Sequence, residues 1–333
     1  MMAKASVLGA GAWGTSLAML LSDNGHEVTL WSPFAEQTEE LRRTRKSAAL
    51  GEVELPESLC FTSDLKEAAE GRELLVFATA SVYTRGVAKE VKPFVKPGQL
   101  IVCVAKGIED KSLLFQTDEV KQEIPDAVVT CLSGPSHAEE VARRLPTTCV
   151  AGAEDSEVAA KVQQLFMNRV FRVYTSTDVR GIELGGAVKN VIALAAGIAD
   201  GLGYGDNTKA ALITRGIAET ARLGVKIGAN WETFAGLTGI GDLIVTCASM
   251  HSRNRRAGIL IGQGKSMEEA MREVGQVVEG VYSAKAALAL AEREQVEMPI
   301  VEVVNRVLFS GLPAAEAVQM LMERDPVAEW NHL

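Results

Sequence analysis

A chain of 333 residues has room for two domains of ordinary size and for a substantial core. Hydrophobic residues make up 47% and charged ones 23%, which fits a folded globular protein and excludes a disordered one. The net charge of −9 argues against non-specific binding to nucleic acid or an anionic membrane, while a local basic patch can still hold a phosphate.

Residues 4–8 read as a strand, with no basic segment and apolar run before it, so no signal peptide is expected. Residues 15–24 read as a helix stopped by Gly25, and residues 27–31 as a second strand. Buried strands are then expected at 74–78, 100–105, 128–132, 148–151 and 171–174. Helical patterns lie among them at 36–45, 64–69, 82–91, 111–124, 137–144 and 156–167. Strands alternating with helices predict a parallel α/β sheet. After about residue 180 the strand signals stop. A helix is expected at 206–223, opened by Asp206 and Asn207 and closed by Gly224, with others at 231–236, 267–274, 281–294, 299–310 and 313–322. A ligand site is expected between the two halves, since open α/β sheets bind ligands at strand C-termini.

The stretch 181–197 is the most apolar, yet Glu183, Lys189 and four glycines speak against membrane insertion, and no uncharged apolar run reaches the ~18 residues a spanning helix needs. The five cysteines (Cys60, Cys103, Cys131, Cys149, Cys247) are odd in number and form no C-x-x-C pair. That pattern argues against a disulfide frame or a zinc knuckle and fits reduced thiols, so a cytoplasmic protein without a metal site is expected.

Between the first strand and first helix sits Gly9-Ala10-Gly11-Ala12-Trp13-Gly14, a G-x-G-x-x-G. Gly9 can make the tight turn, Gly11 lets a diphosphate approach the backbone, and Gly14 lets helix pack on strand. The helix N-terminus then offers free N–H groups to phosphates. In strand–loop–helix–strand context this predicts dinucleotide binding; the bland alternative is a structural β–α turn. An acidic residue at the end of the second strand would indicate NAD and an arginine NADP. Here the chain reads Ser32-Pro33-Phe34 with neither, and Ser32 suits both, so the preference stays open. Gly262-Gln263-Gly264-Lys265-Ser266 ends like a nucleotide-triphosphate loop but lacks the earlier glycine, position 259 being Ile, and follows no strand.

The sharpest chemical candidate is Lys189, alone among apolar residues on a helix whose same face carries Gly185, Gly186 and Ala193. Burying an ammonium costs several kcal/mol without a partner, so a chain seldom does it for packing alone. Asp242, in Gly239-Ile240-Gly241-Asp242, could orient that lysine or cap the following helix, with Thr246 one turn on. Lys106 follows a strand end and is either a crevice lysine or a solvated one. Gly134 and Ser136 belong to a tight turn suited to an anion, though Ser136 serves equally as a helix cap; His137 has no triad companion. Ser252-Arg253-Asn254-Arg255-Arg256 concentrates donors fit for a phosphate, with a solvated basic face as the alternative, which suits Arg255 and Arg256.

Together with Phe171-Arg172-Val173-Tyr174, Thr214-Arg215-Gly216 and Val278-Glu279-Gly280, these motifs resemble the bacterial NAD(P)-dependent glycerol-3-phosphate dehydrogenases over nearly the whole chain. The resemblance implies an α/β Rossmann-type parallel sheet domain, residues 1–180, followed by an all-α domain of the 6-phosphogluconate dehydrogenase-like type, residues 181–333. It implies interconversion of sn-glycerol 3-phosphate and dihydroxyacetone phosphate with NAD or NADP, mainly to supply phospholipid synthesis. By position it makes Lys189 the proton acceptor and donor. Lys106, Gly134, Ser136, Asp242, Ser252, Arg253 and Asn254 become substrate ligands, with Asn190 and Thr246 as helpers. Trp13, Lys106, Ala138, Arg253, Val278 and Glu279 become cofactor contacts, beside Gly9, Gly11, Ala12, Gly14 and Ser32 from the loop and the strand end read above. The departure is Ser32-Pro33-Phe34, where many relatives carry a His/Arg pair favouring the 2′-phosphate. The implied partner is a small phosphorylated substrate, with no nucleic acid and no membrane insertion; the apolar C-terminal helices leave room for a homodimer. Two rivals stand beside it. A reductase for a β-hydroxy acid or sugar acid on the same plan would want a carboxylate pocket. A non-catalytic dinucleotide sensor would not need Lys189, Asp242 and Arg253 together.

Overall fold

The computed structural model describes residues 2–326, 328 and 329. It divides into two compact units, Met1–Lys106 with Gln116–Val179, and Gly107–Phe115 with Arg180–Leu333.

The first unit runs β1 (Lys4–Leu8), α1 (Ala12–Asp23), β2 (Glu27–Trp31), α2 (Ala35–Thr44), β3 (Cys60–Thr62), α3 (Leu65–Ala69), β4 (Leu74–Phe77), α4 (Thr84–Val91), β5 (Leu100–Cys103), α5 (Gln116–Glu123), β6 (Val128–Ser133), α6 (Ala138–Ala142), β7 (Thr147–Gly152), α7 (Ser156–Phe166) and β8 (Phe171–Ser176). One eight-stranded sheet has the order β3-β2-β1-β4-β5-β6-β7-β8. Helices cover both faces, so the inner strands are near-continuous apolar runs: Leu74, Leu75, Val76 and Phe77 are all at most 1% exposed. The chain crosses from the edge strand β3 back past β2 and β1 to β4, and this reversal of order leaves a crevice at the C-terminal end of β1.

Two features depart from expectation: one pair is not parallel, and one strand carries no signal in the sequence. The β6–β7 pair is antiparallel, Leu132 lying opposite Ala151. Alternation of apolar residues tells which face is buried and says nothing of strand direction, which the returning connection sets. The edge strand β3 is only three residues long, too short to display a period, and it carries the exposed Cys60; the other four cysteines are buried.

The helix expected at 111–124 forms only over Gln116–Glu123. Upstream, Glu109 N–H donates to Leu114 O, Leu113 turns with φ 58°, and Ile108 and Phe115 bury their side chains in the core of the second unit. Apolar residues that read as one helical stripe are two anchors of a hairpin-like excursion.

The second unit is helical throughout: α8 (Val179–Gly201), α9 (Asp206–Lys226), α10 (Trp231–Ala235), a π-helical turn at Leu237–Gly241, α11 (Asp242–Ala248), α12 (Arg253–Gly262), α13 (Met267–Val274), α14 (Glu279–Glu294), α15 (Pro299–Phe309) and α16 (Ala314–Met322). Helix α8 is long and apolar enough to cross a membrane, but 94% of its most apolar window is buried inside the protein. Helix α9 does not stop at Gly224. A methyl there would lie 2.1 Å from the Phe234 ring, so that glycine serves packing, and the left-handed turn falls at Gly228, φ +91°. Its N-cap is Gly205, which leaves Asp206 as the first helical residue, where a carboxylate meets the positive end of the helix.

Helices α8 and α12 touch backbone to backbone. A methyl on Gly258 would sit 2.2 Å from Leu194 O, one on Gly197 2.2 Å from Arg255 O, and one on Gly201 2.2 Å from Ile259 O. The supposed triphosphate loop is the end of α12 followed by a capping box, Ser266 Oγ accepting from Glu269 N–H and Glu269 accepting from Ser266 N–H.

Candidate active site

In the first unit the glycine loop leaves β1 with Gly9 N–H donating to Trp31 O. Gly9 has φ +126°, and a methyl there would meet Ala78 O at 2.7 Å; one on Gly14 would overlap Gly9 O. Gly11 is different: a methyl there would meet nothing within 4 Å, so its backbone faces open space. Gly11 is also the N-cap of α1 and has no side chain to occupy the first N–H groups. Beside this cradle Trp13 Nε1 and Thr79 Oγ1 are buried with no hydrogen-bond partner among the described residues. Free helix N–H groups, open backbone and orphaned polar atoms fit a dinucleotide diphosphate.

Ser32 follows β2 and is almost fully buried, donating its hydroxyl to Gln37 Oε1 at 2.6 Å, while Gln37 Nε2 donates to Ala10 O at 3.0 Å. Gln37, which sequence reasoning passed over, thus ties the end of β2 to the glycine loop. Arg42 and Arg43 pair with Glu39 and Glu40 one turn back on α2, as solvated helix charges do. Ala138 opens α6, and its carbonyl accepts from Ser16 Oγ on α1 at 2.8 Å, so this residue is tied to the glycine-loop helix. Gly134 adopts φ +146°, with Cys149 Cα only 2.9 Å from where a methyl would be. Its carbonyl receives both Lys106 Nζ, at 3.1 Å, and Ser136 Oγ, at 3.0 Å, so three residues expected to meet substrate converge on one turn.

In the second unit Lys189 is 8% exposed and Asp242 1%. Lys189 Nζ donates to Asp242 Oδ1 at 2.5 Å and to Thr246 Oγ1 at 2.9 Å, and Thr246 in turn donates to the Asp242 main-chain carbonyl at 2.6 Å. Local backbone makes this contact possible. The π-helical turn before Asp242, where Gly241 N–H reaches Gly236 O, re-aims the chain at α8, and Gly185 admits it: a methyl there would lie 2.6 Å from Thr238 O. The carboxylate of Asp242 therefore goes to the lysine, while its own helix has Gly241 as N-cap. Beside this group, burial pushes the Cys247 thiol up to about 12 despite the pull of Lys189, which leaves it an inert packing residue.

One residue further along α8, Asn190 Oδ1 accepts from Asn254 Nδ2 at 2.9 Å, and Asn254 Oδ1 accepts from Gly280 N–H at 2.8 Å. Gly280 follows Val278 and Glu279 at the start of α14, so the segment expected to meet the cofactor is joined to the helix that carries Lys189. Ser252 is the N-cap of α12, accepting from Arg255 N–H at 3.2 Å, and Arg253 is its first helical residue. Arg255 is not part of a solvated basic face. Its side chain is 13% exposed and pairs with Asp200, a residue that a sequence distance of 55 had hidden.

A dinucleotide cradle on a mainly parallel sheet, and a helical unit holding a buried ammonium against a carboxylate, define a two-unit nicotinamide-dependent dehydrogenase. Residues 4–159 match the family described as NAD-dependent glycerol-3-phosphate dehydrogenase N-terminus, and residues 178–319 the corresponding C-terminus. The chain belongs to the NAD-dependent glycerol-3-phosphate dehydrogenase family and is an oxidoreductase. It is 59% identical over 333 residues to the glycerol-3-phosphate dehydrogenase [NAD(P)+] of Agathobacter rectalis, covering 100% of this chain and 99% of that one. With the enzyme of the same name from Fusobacterium nucleatum it shares 56% over 331 residues, 98% and 99% of the two chains. The crystal structure of glycerol-3-phosphate dehydrogenase from Coxiella burnetii superposes with a TM-score of 0.94 at 37% identity, over 97% of this chain and 99% of that one.

Proposed function

We propose that this protein interconverts dihydroxyacetone phosphate and sn-glycerol 3-phosphate with NAD(H) or NADP(H). The observation that carries the reading is the buried Lys189, held by Asp242 and Thr246 in a family of that activity. The bound dinucleotide supplies or accepts the hydride at its nicotinamide ring. As negative charge develops on the ketone oxygen, the Lys189 ammonium stabilises it and then gives it a proton; in the reverse direction the amine takes that proton back. Asp242 and Thr246 fix the ammonium so that little reorganisation is needed when charge develops. Arg253 holds the phosphate, with Lys106, Ser136, Ser252 and Asn254 as further ligands, and this remote binding keeps the carbinol in register. Gly9 to Gly14, Ala138, Val278 and Glu279 serve the dinucleotide. The product is glycerol 3-phosphate for phospholipid synthesis in the cytoplasm.

Initial rates of dihydroxyacetone phosphate reduction, followed at about 340 nm with NADH and NADPH side by side, test the reading. Substrate-dependent oxidation of either coenzyme is expected, and a carboxylated β-keto acid in place of the phosphate should give none. Turnover with the carboxylated compound alone would overturn it in favour of a hydroxy-acid reductase, and cofactor binding without any turnover would favour a sensor.

A further inference from the structure

The phosphate role given to Arg253 depends on where the first turn of α12 sits, and that turn is held from three sides. The glycine contact between α8 and α12 fixes the separation of the two backbones, but it does not fix the turn at 249–252 that feeds α12. Asp200, near the C-terminal end of α8, accepts from Arg255 Nε at 2.8 Å through one carboxylate oxygen and pairs with Lys209 Nζ at 2.8 Å through the other. The same guanidinium donates through Nη1 to Ala248 O, at the last residue of α11, at 2.7 Å, while Arg255 N–H reaches the capping hydroxyl of Ser252. One planar fork therefore ties the end of α8, the end of α11 and the start of α12, and its three charged members are only 13–19% exposed in their side chains. A fork of this kind holds geometry in a way a point charge does not.

We propose that Asp200 is a positioning residue for phosphate recognition, acting through Arg255 on the turn that presents Ser252, Arg253 and Asn254. This rests on the reading of Arg253 as the phosphate ligand. Asp200 itself touches no substrate. Without its carboxylate the guanidinium loses its anchor on α8, the turn relaxes, and the Arg253 fork is displaced; misplacement by about an ångström is enough to cost an order of magnitude or more.

The test is steady-state kinetics of Asp200→Asn, Asp200→Glu, Arg255→Lys and Arg253→Ala. Asp200→Asn should raise KM for dihydroxyacetone phosphate about tenfold. KM for NADH should rise far less than KM for dihydroxyacetone phosphate, and the slow turnover of unphosphorylated dihydroxyacetone, which has no phosphate to hold, should stay at the wild-type value. Asp200→Glu should recover most of the loss. Arg255→Lys, which keeps a cation beside Asp200 but cannot also reach Ala248 O as a fork, should repeat the Asn effect, and it carries the comparison should Asp200→Asn fail to fold. An unchanged KM for dihydroxyacetone phosphate, or an equal loss with dihydroxyacetone or NADH, would overturn the positioning role. Arg253→Ala separates the two layers. If it leaves KM for dihydroxyacetone phosphate unchanged, the phosphate reading falls and the positioning role with it; if it raises KM while Asp200→Asn does not, the positioning role alone falls.

Discussion

In the proposed reaction a single ammonium carries most of the chemistry, and its surroundings explain how it is tolerated. Lys189 is offset by one carboxylate and one hydroxyl, both on α11 and one turn apart. Lys189→Ala should therefore lower kcat by about 10²- to 10⁴-fold, the usual worth of a general acid, with KM for the coenzyme within about twofold. The same change removes one member of a buried ion pair, an event that costs about 3–5 kcal/mol, so thermal unfolding should report a clear fall as well. Saturating rates and a coenzyme fluorescence titration measure the first part, and near-normal turnover would remove Lys189 from proton transfer. That a lysine amid Gly185, Gly186 and Ala193 would be buried could be read from the chain, and the structure buries it. That Thr246 closes the group could be suspected from its helical spacing to Asp242. Asp200 and Gln37 could not be found so, because each acts through a partner that only folding brings near: Arg255 for one, Ser32 and Ala10 for the other.

Elements were legible where a single periodicity ran long enough. The strands β1, β2, β4 and β5 and the helices α13 and α15 follow from their own apolar spacing. Misreadings arose where a residue has more than one use: Gly224 packs against Phe234 instead of ending α9, and Phe115 anchors an excursion instead of lengthening α5. Glycines in the α8–α12 seam show the same double meaning, since in sequence they look like helix breakers. Gly258→Ala should destabilise by roughly 1–3 kcal/mol or more, because the added methyl meets a carbonyl oxygen that neither helix can move cheaply. Gly86→Ala, inside α4 with open space around the new methyl, should instead stabilise by up to about 1 kcal/mol, the usual advantage of alanine over glycine in a helix. Urea unfolding of the pair checks this; equal losses at both positions would mean the seam is not in close contact.

At the scale of the whole molecule, one buried acid far along the chain from Lys189 couples folding to pH. Glu219, on α9 beside a cavity of about 1020 Å³ that Arg215, Arg222, Ile300 and Leu321 also line, is pushed by burial up to about 7, only partly offset by the Ile300 N–H. The folded chain thus keeps a proton that the unfolded chain, at its ordinary value of 4.5, has already released. Stability from this group is full below the lower value and is lost as pH rises to about 7, by about 3 kcal/mol in all. Glu219→Gln, which keeps an acceptor for Ile300, should gain on the parent by up to that amount at pH 8 compared with pH 5. Equal differences at the two pH values would contradict the raised pKa of Glu219. The edge strand β3 has a consequence of a practical kind. Because Cys60 alone among the five thiols meets solvent, an alkylating dye or a maleimide spin label has one address on the folded enzyme. That address is on the nucleotide-binding sheet and off the helical bundle, so a probe there can watch the sheet without marking the chemistry.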